Sequence, residues 1–146
     1  MAHHNLGIEL DAQGRYADAR RHFRAAVDLK PSHFHAHHRL GRSLAREGRL
    51  DEAIAHLETA VRLSPNKRQF HSSLGEAYLR RGDFARAEKA FRRVLEPPYQ
   101  HAATQVRLAE ALIGQGRNGE ARIALEEALR IEPDNPKATV LLLEIP

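Results

Sequence analysis

Apolar positions along the chain return at a fixed interval of 34 residues. Leu6, Leu40, Leu74 and Leu108 form one ladder, and Ala19, Ala53, Ala87 and Ala121 form a second. Gly14, Gly48, Gly82 and Gly116 make a third in the same register. Weaker ladders run through Gly7, Gly41 and Gly75 with Ala109, and through Phe23, Leu57, Phe91 and Leu125. A period of this length marks stacked supersecondary repeats, none of which buries its apolar face alone. On either side of each turn glycine the apolar spacing is three and four, the period of an amphipathic helix. Each repeat therefore predicts two helices and a turn, the glycine closing the first helix in the left-handed conformation. Pro31, Pro65 and Pro133 stand just past the second helix, which a residue without an N–H does not extend. The predicted helices cover 2–13, 17–30, 34–47, 51–63, 68–81, 85–95, 102–115, 119–131 and 137–145.

Departures from the pattern carry their own expectations. Pro97, Pro98 and Tyr99 predict that the second helix of the third repeat stops early. Asn118 takes the register of Tyr16, Leu50 and Phe84, which predicts a looser fourth turn. Gly41 with Ala53, and Gly75 with Ala87, are expected to let paired helices approach closely, with Leu57 and Phe91 filling the space between neighbouring repeats. The last helix carries Val140, Leu141, Leu142, Leu143 and Ile145, more apolar residues than a helix facing solvent needs. It is expected either to tuck against the fourth repeat or to associate with another surface.

Composition narrows the chemistry. At 146 residues the expectation is a single domain, 1–146. There is no cysteine, which excludes a disulfide framework, a thiolate metal site and a cysteine nucleophile, and points to a reducing, cytoplasmic location. No stretch approaches the roughly 20 apolar residues of a membrane span, so no membrane partner is expected. The sequence lacks a phosphate-binding glycine loop, a dinucleotide fingerprint, His-Glu-x-x-His and Gly-x-Ser-x-Gly, and so nominates no catalytic residue and no cofactor. Net charge is +4, and by repeat it runs +1, +2, +3 and −2, with the remainder neutral. The net charge favours acidic partners without demanding nucleic acid, and the basic body beside an acidic fourth repeat favours a weak head-to-tail contact between copies.

The recurring order of Leu-Gly, a Leu or aromatic three residues later, Ala in the second helix, then Phe or Leu, Ala and Pro resembles the tetratricopeptide repeat across nearly the whole chain. That resemblance implies an all-α fold: a right-handed α-solenoid of four repeats, about 1–33, 34–67, 68–101 and 102–135, with a terminal helix at 136–146. The tryptophan common near the start of the first helix is replaced by His3, His37 and His71, and by Gln105. These histidines are expected to take its packing role. The cluster His33, His35, His37 and His38 offers metal-ligand spacing, but the ladder explains His37 without a metal.

In proteins of this family the first helices line a concave groove that holds a peptide or a partner helix. Projecting that face onto this sequence nominates His35, His38, Arg39, Arg42 and Arg46 from the second repeat, with Arg80 and Arg107 from the third and fourth. Arginine forks onto carboxylates through two hydrogen bonds, so the groove is expected to bind an acidic or carboxylate-ended segment of another protein. The competing expectation is that Arg46 pairs with Glu76 and Arg80 with Glu110, leaving Arg39 and Arg42 best placed to be free. The carboxylate clamp by which some relatives hold heat-shock chaperones does not match: its five places fall on His4, Ile8, Arg39, Gln69 and Ser73, or one repeat later on His38, Arg42, Ser73, Ala103 and Arg107. The asparagine ladder of sugar-transferring relatives falls on Asn5, Arg39, Ser73 and Arg107 and is absent too. Few groove aromatics are available for base stacking, which disfavours RNA. The rival reading from another class is self-association, or assembly within a longer protein, through the apolar terminal helices.

Overall fold

The computed structural model describes residues 2–146; residue 1, the start of the first expected repeat, lies outside them. Among the described residues the secondary structure is all helical: α1 (Ala2–Ala12), α2 (Tyr16–Leu29), α3 (Phe34–Arg46), α4 (Leu50–Leu63), α5 (Arg68–Arg81), α6 (Phe84–Val94), α7 (Ala102–Gly114), α8 (Asn118–Ile131) and α9 (Pro136–Glu144). Every helix expected from the apolar period is present, with ends displaced by at most one residue. No helix among the described residues is long and apolar enough to cross a membrane.

The chain divides after Ser73, within α5, into two compact units. In the first, α1 packs on α2, α2 on α3 and α3 on α4. Phe23, Leu40, Leu44, Leu57 and Phe70 are its large core residues, each at most 1% exposed. In the second, α6 packs on α7, α7 on α8 and α8 on α9, around Phe91, Leu112 and Leu125.

The sequence ladders act at two kinds of place. The turn glycines Gly14, Gly48, Gly82 and Gly116 hold φ between 72° and 82°, a region that side-chain-bearing residues rarely adopt. The following backbone N–H then bonds back to a carbonyl of the first helix: Arg15 to Leu10 at 2.9 Å, Arg49 to Leu44 at 3.0 Å, Asp83 to Tyr78 at 2.9 Å and Arg117 to Leu112 at 2.9 Å. The fourth turn matches the other three, so Asn118 does not loosen it; the backbone bond, not the side chain after it, closes the turn. Within the helix pairs, a Cβ added to Gly41 would lie 2.7 Å from Leu57 Cγ and 3.0 Å from the Ala53 carbonyl oxygen. One added to Gly75 would lie 2.7 Å from the Phe91 ring. Leu57 and Phe91 thus sit on the glycine of their own pair.

The irregular ends also have local causes. Helix α6 ends at Val94, three residues shorter than α2, α4 and α8, as Pro97 and Pro98 require. Helix α9 begins with Pro136 in its first turn, capped by Asn135, whose side-chain oxygen accepts from Ala138 N–H at 3.0 Å. Ala138 and Ile145 are buried, while Val140 and Leu143 are 52% and 82% exposed. One face of α9 docks and the other does not.

Candidate peptide-binding face

Helix α3 presents its residues in two sets. Ala36, Leu40, Ser43 and Leu44, spaced by three and four, turn inward and are buried. The opposite side carries His35, Arg39, Arg42 and Arg46. Of these, His35, Arg42 and Arg46 are exposed and Arg39 is half-buried.

The basic residues nominated from the sequence divide by what they touch. Arg46 donates to Asp11 of α1 at 3.0 Å and lies over the Tyr16 ring, 4.3 Å from its centroid. In the second unit Arg107 is held by Glu76 at 3.1 Å and by Glu110 at 2.9 Å. Glu110 also receives Lys137 at 2.6 Å. Arg46 and Arg107 thus each reach an acid of the preceding repeat, whereas the expected pairing of Arg46 with Glu76 pointed to the following one. Arg80 lies exposed on α5. Arg39 and Arg42 engage no carboxylate among the described residues. They stand three apart on one helix, as neighbours on its surface.

His38 departs from the expectation of an outward groove contact. It is 2% exposed, with its Nε2 2.9 Å from the Ser73 hydroxyl and its ring 4.5 Å from that of Phe70. Phe70, arriving from α5, covers a position that helical projection alone leaves open. Burial first, then the positive charges of Arg42 and Arg39, push the His38 pKa down to about 3, so the ring is neutral at physiological pH. The two arginines raise the local positive potential enough to act on a neighbour.

The histidine cluster does not converge. His33 caps α3, its Nδ1 accepting from Ala36 N–H at 3.3 Å, and its ring lies 4.8 Å from that of His4. His35 packs edge-on against Phe70 at 5.7 Å. His37 turns the other way, to His56 and to the Pro31 carbonyl. Among the described residues no group of three or more His, Cys, Asp or Glu is placed to hold a metal ion. His3 and His37 do pack between the helices of a pair, each against a second imidazole, His22 and His56. Those partners stand 34 residues apart, the interval that exposed the other ladders, and reading this pair of positions at that interval reveals them.

A cavity of about 640 Å³ lies against α6, α7 and α8, with Leu95, Leu108, Leu112 and Ile123 in its wall. Two carboxylates of its wall are engaged, Glu120 by Arg117 at 2.7 Å and Glu127 by Arg130 at 2.6 Å.

Comparison with known proteins follows this geometry. Residues 4–68 and 72–136 each match the family model of the tetratricopeptide repeat. A search of curated proteins gives no match. Among solved structures, the chain is similar to a MamA structure of MSR-1, with 23% identity over 96% of this chain and 80% of that one, and a TM-score of 0.86. It is similar to residues 41 to the end of MamA from Desulfovibrio magneticus RS-1, with 18% identity over 97% and 80% of the two chains and a TM-score of 0.90. The APC/C hetero-tetramer Cut9-Hcn1 is similar at 21% identity and a TM-score of 0.85, over 98% of this chain but 29% of that one.

Proposed function

The chain belongs to the tetratricopeptide-repeat family, and on that footing we propose that it is an interaction scaffold whose α3 face binds an acidic or carboxylate-ended segment of another protein. The observation that supports this reading is the pair Arg39 and Arg42, which engage no carboxylate among the described residues while Arg46 and Arg107 are satisfied. Adjacent guanidinium groups fit one carboxylate between them or two along an extended peptide. His35 adds a polar, exposed rim on the same helix. His38 beneath them stays neutral and contributes packing. No catalytic role is proposed for any of these groups, nor a cofactor.

A single extended peptide is expected to bind at ~1 to 100 μM, because ordering the flexible ligand offsets much of the contact energy. The test is a titration with a peptide ending in Asp-Glu-Glu and a free carboxylate, followed by amide NMR shifts. Shifts should centre on α3, and Arg39→Glu with Arg42→Glu should weaken binding by about tenfold or more while helicity is unchanged. Equal affinity in the double variant, or shifts confined to other helices, would remove the assignment.

One observation favours a second reading. Val140 and Leu143 on α9, with Ile123 of α8 at 67%, leave aliphatic surface exposed in the second unit. Self-association through this surface would show as a mass that rises with concentration in light scattering. A constant monomer mass would eliminate it.

A further inference from the structure

Two imidazole pairs join first and second helices within the first unit. His3 Nδ1 of α1 lies 2.9 Å from His22 Nδ1 of α2, with ring centroids 5.1 Å apart. His37 Nδ1 of α3 lies 3.1 Å from His56 Nδ1 of α4, with centroids 5.2 Å apart. Both members advance by 34 residues, so the same bridge is built twice. The corresponding positions of the later repeats hold His71 with Ala90 and Gln105 with Ala124, and neither combination makes such a bridge.

A bond between two imidazoles requires a proton on one facing nitrogen and a lone pair on the other. In the second pair the proton can be placed. His37 Nε2 lies 2.9 Å from the Pro31 carbonyl oxygen, which only accepts, so Nε2 carries a hydrogen. In the neutral ring Nδ1 is then bare, and His56 donates to it. One added proton goes to the free Nε2 of His56, whose Nδ1–H still donates to His37; if that bridging proton crosses to His37 Nδ1, the charge moves with it and His56 accepts through the Nδ1 it has vacated, so the bridge survives either way. A second added proton places N–H groups on both facing nitrogens and two positive charges in contact. No acceptor remains between them.

The surroundings do little to relieve that second charge. His56 is faced by Arg24 and Asp28 of α2 and by Glu52 of its own helix. Glu52 is already held by Arg49 at 2.7 Å, and Asp28 is exposed. His3 and His22 share a cavity wall with Arg15, Asp18 and Arg21, and Asp18 is bound by both arginines. Burial first, then the His37 and Arg24 charges, hold His56 below the ordinary imidazole value.

We propose that the two histidine pairs form an acid-operated latch: each keeps its helices closed while the pair holds at most one added proton, and releases them when the second arrives. The latch belongs to α1–α4 and does not depend on the peptide-binding reading of α3.

Imidazole nitrogen NMR of the intact chain, titrated from about pH 7.5 to 4.5 with a chelator present, tests this directly. Each pair should titrate in two coupled steps separated by more than about one pH unit. Amide protection in α1–α4, corrected for intrinsic exchange, should fall about tenfold or more over that range, and protection in α7 and α8 should fall less. In His56→Gln, at a half-exposed site that tolerates the change, His37 should titrate in one step; in His22→Gln, His3 should do likewise. The double variant should lose less protection on acidification than the wild type. Independent single-step titration in the wild type, or an acid response unchanged in the double variant, would overturn the latch and assign acid sensitivity to His38 and its neighbours.

Discussion

The two units share one backbone plan and differ in the polar chemistry that ties their helices. Nine of the ten histidines fall in residues 2–73. There, His3 with His22 and His37 with His56 lie between paired helices, and His38 lies buried beneath the outer face of α3. The second unit places arginine and glutamate in comparable roles. Arg107 bridges Glu76 and Glu110, and Glu88 receives Arg92 at 2.9 Å, Arg117 at 2.6 Å and Gln115 at 2.9 Å. The type of polar residue that meets a neighbouring helix decides the pH at which the contact fails. An imidazole between helices must stay short of protons, whereas a carboxylate among arginines must stay free of them.

If the difference lies in polar chemistry alone, core truncation should cost both units alike. Leu57→Ala and Phe91→Ala remove side chains 0% and 1% exposed that seat on Gly41 and Gly75. We expect losses of ~2 to 5 kcal/mol for the leucine and ~3 to 5 kcal/mol for the phenylalanine, from lost burial and the cavity left behind. Amide exchange should report the loss first in the unit that carries the substitution. A core variant costing several-fold more in one unit than in the other would show that packing, too, distinguishes them.

Acid should then separate the units. His33, His35, His38 and His56 all have folded values below the ordinary imidazole value of 6.5. A group depressed on folding stabilises the native state above its unfolded value, because below it the unfolded chain takes up the proton more readily. The first unit should thus begin to weaken below pH 6.5. His38, whose value falls to about 3, should by itself account for about 2 kcal/mol by about pH 5. His38→Gln, able to keep a bond to Ser73, should flatten this part of the curve. Denaturant midpoints measured from about pH 7 to 5 that do not move would contradict both the burial of His38 and the contrast between the units.

The limits of sequence reading follow the same physics. Helix ends were legible because glycine at positive φ and proline past a helix are local requirements, independent of what packs nearby. His38 was misplaced because helical projection describes one helix, and the ring that covers it, Phe70, comes from another. Arg46 lies within reach, by sequence spacing, of acids in the repeats on either side; the cation–π contact with Tyr16 accompanies its bond to Asp11, and a periodicity carries no information about that choice. The histidine pairs were legible in principle, since both members repeat at 34, yet their meaning depends on two nitrogens meeting across helices. Arg39 and Arg42 stood out from the sequence as the arginines best placed to be free, because no acidic residue occupies the next turn of α3 in either direction.

Glu88 supplies the mildest test and the one that addresses the second unit alone. Burial raises its pKa, but the bonds from Gln115, Arg92 and Arg117 outweigh that effect and hold the carboxyl below its ordinary 4.5. Its stabilisation is therefore present above pH 4.5 and lost as the pH falls through its folded value. Glu88→Gln keeps the shape and one acceptor while removing the charge, so at neutral pH it should cost ~1 kcal/mol, the scale of a partly exposed charge-assisted network. The gap between variant and wild type should close only at pH values below 4.5, where the wild-type carboxylate also loses its charge. The response of α1–α4 near pH 6 should be the same in both proteins. A Glu88→Gln variant that shifted the pH 6 response would mean that the imidazoles of the first unit sense charge in the second, and the two chemistries would then be one coupled system.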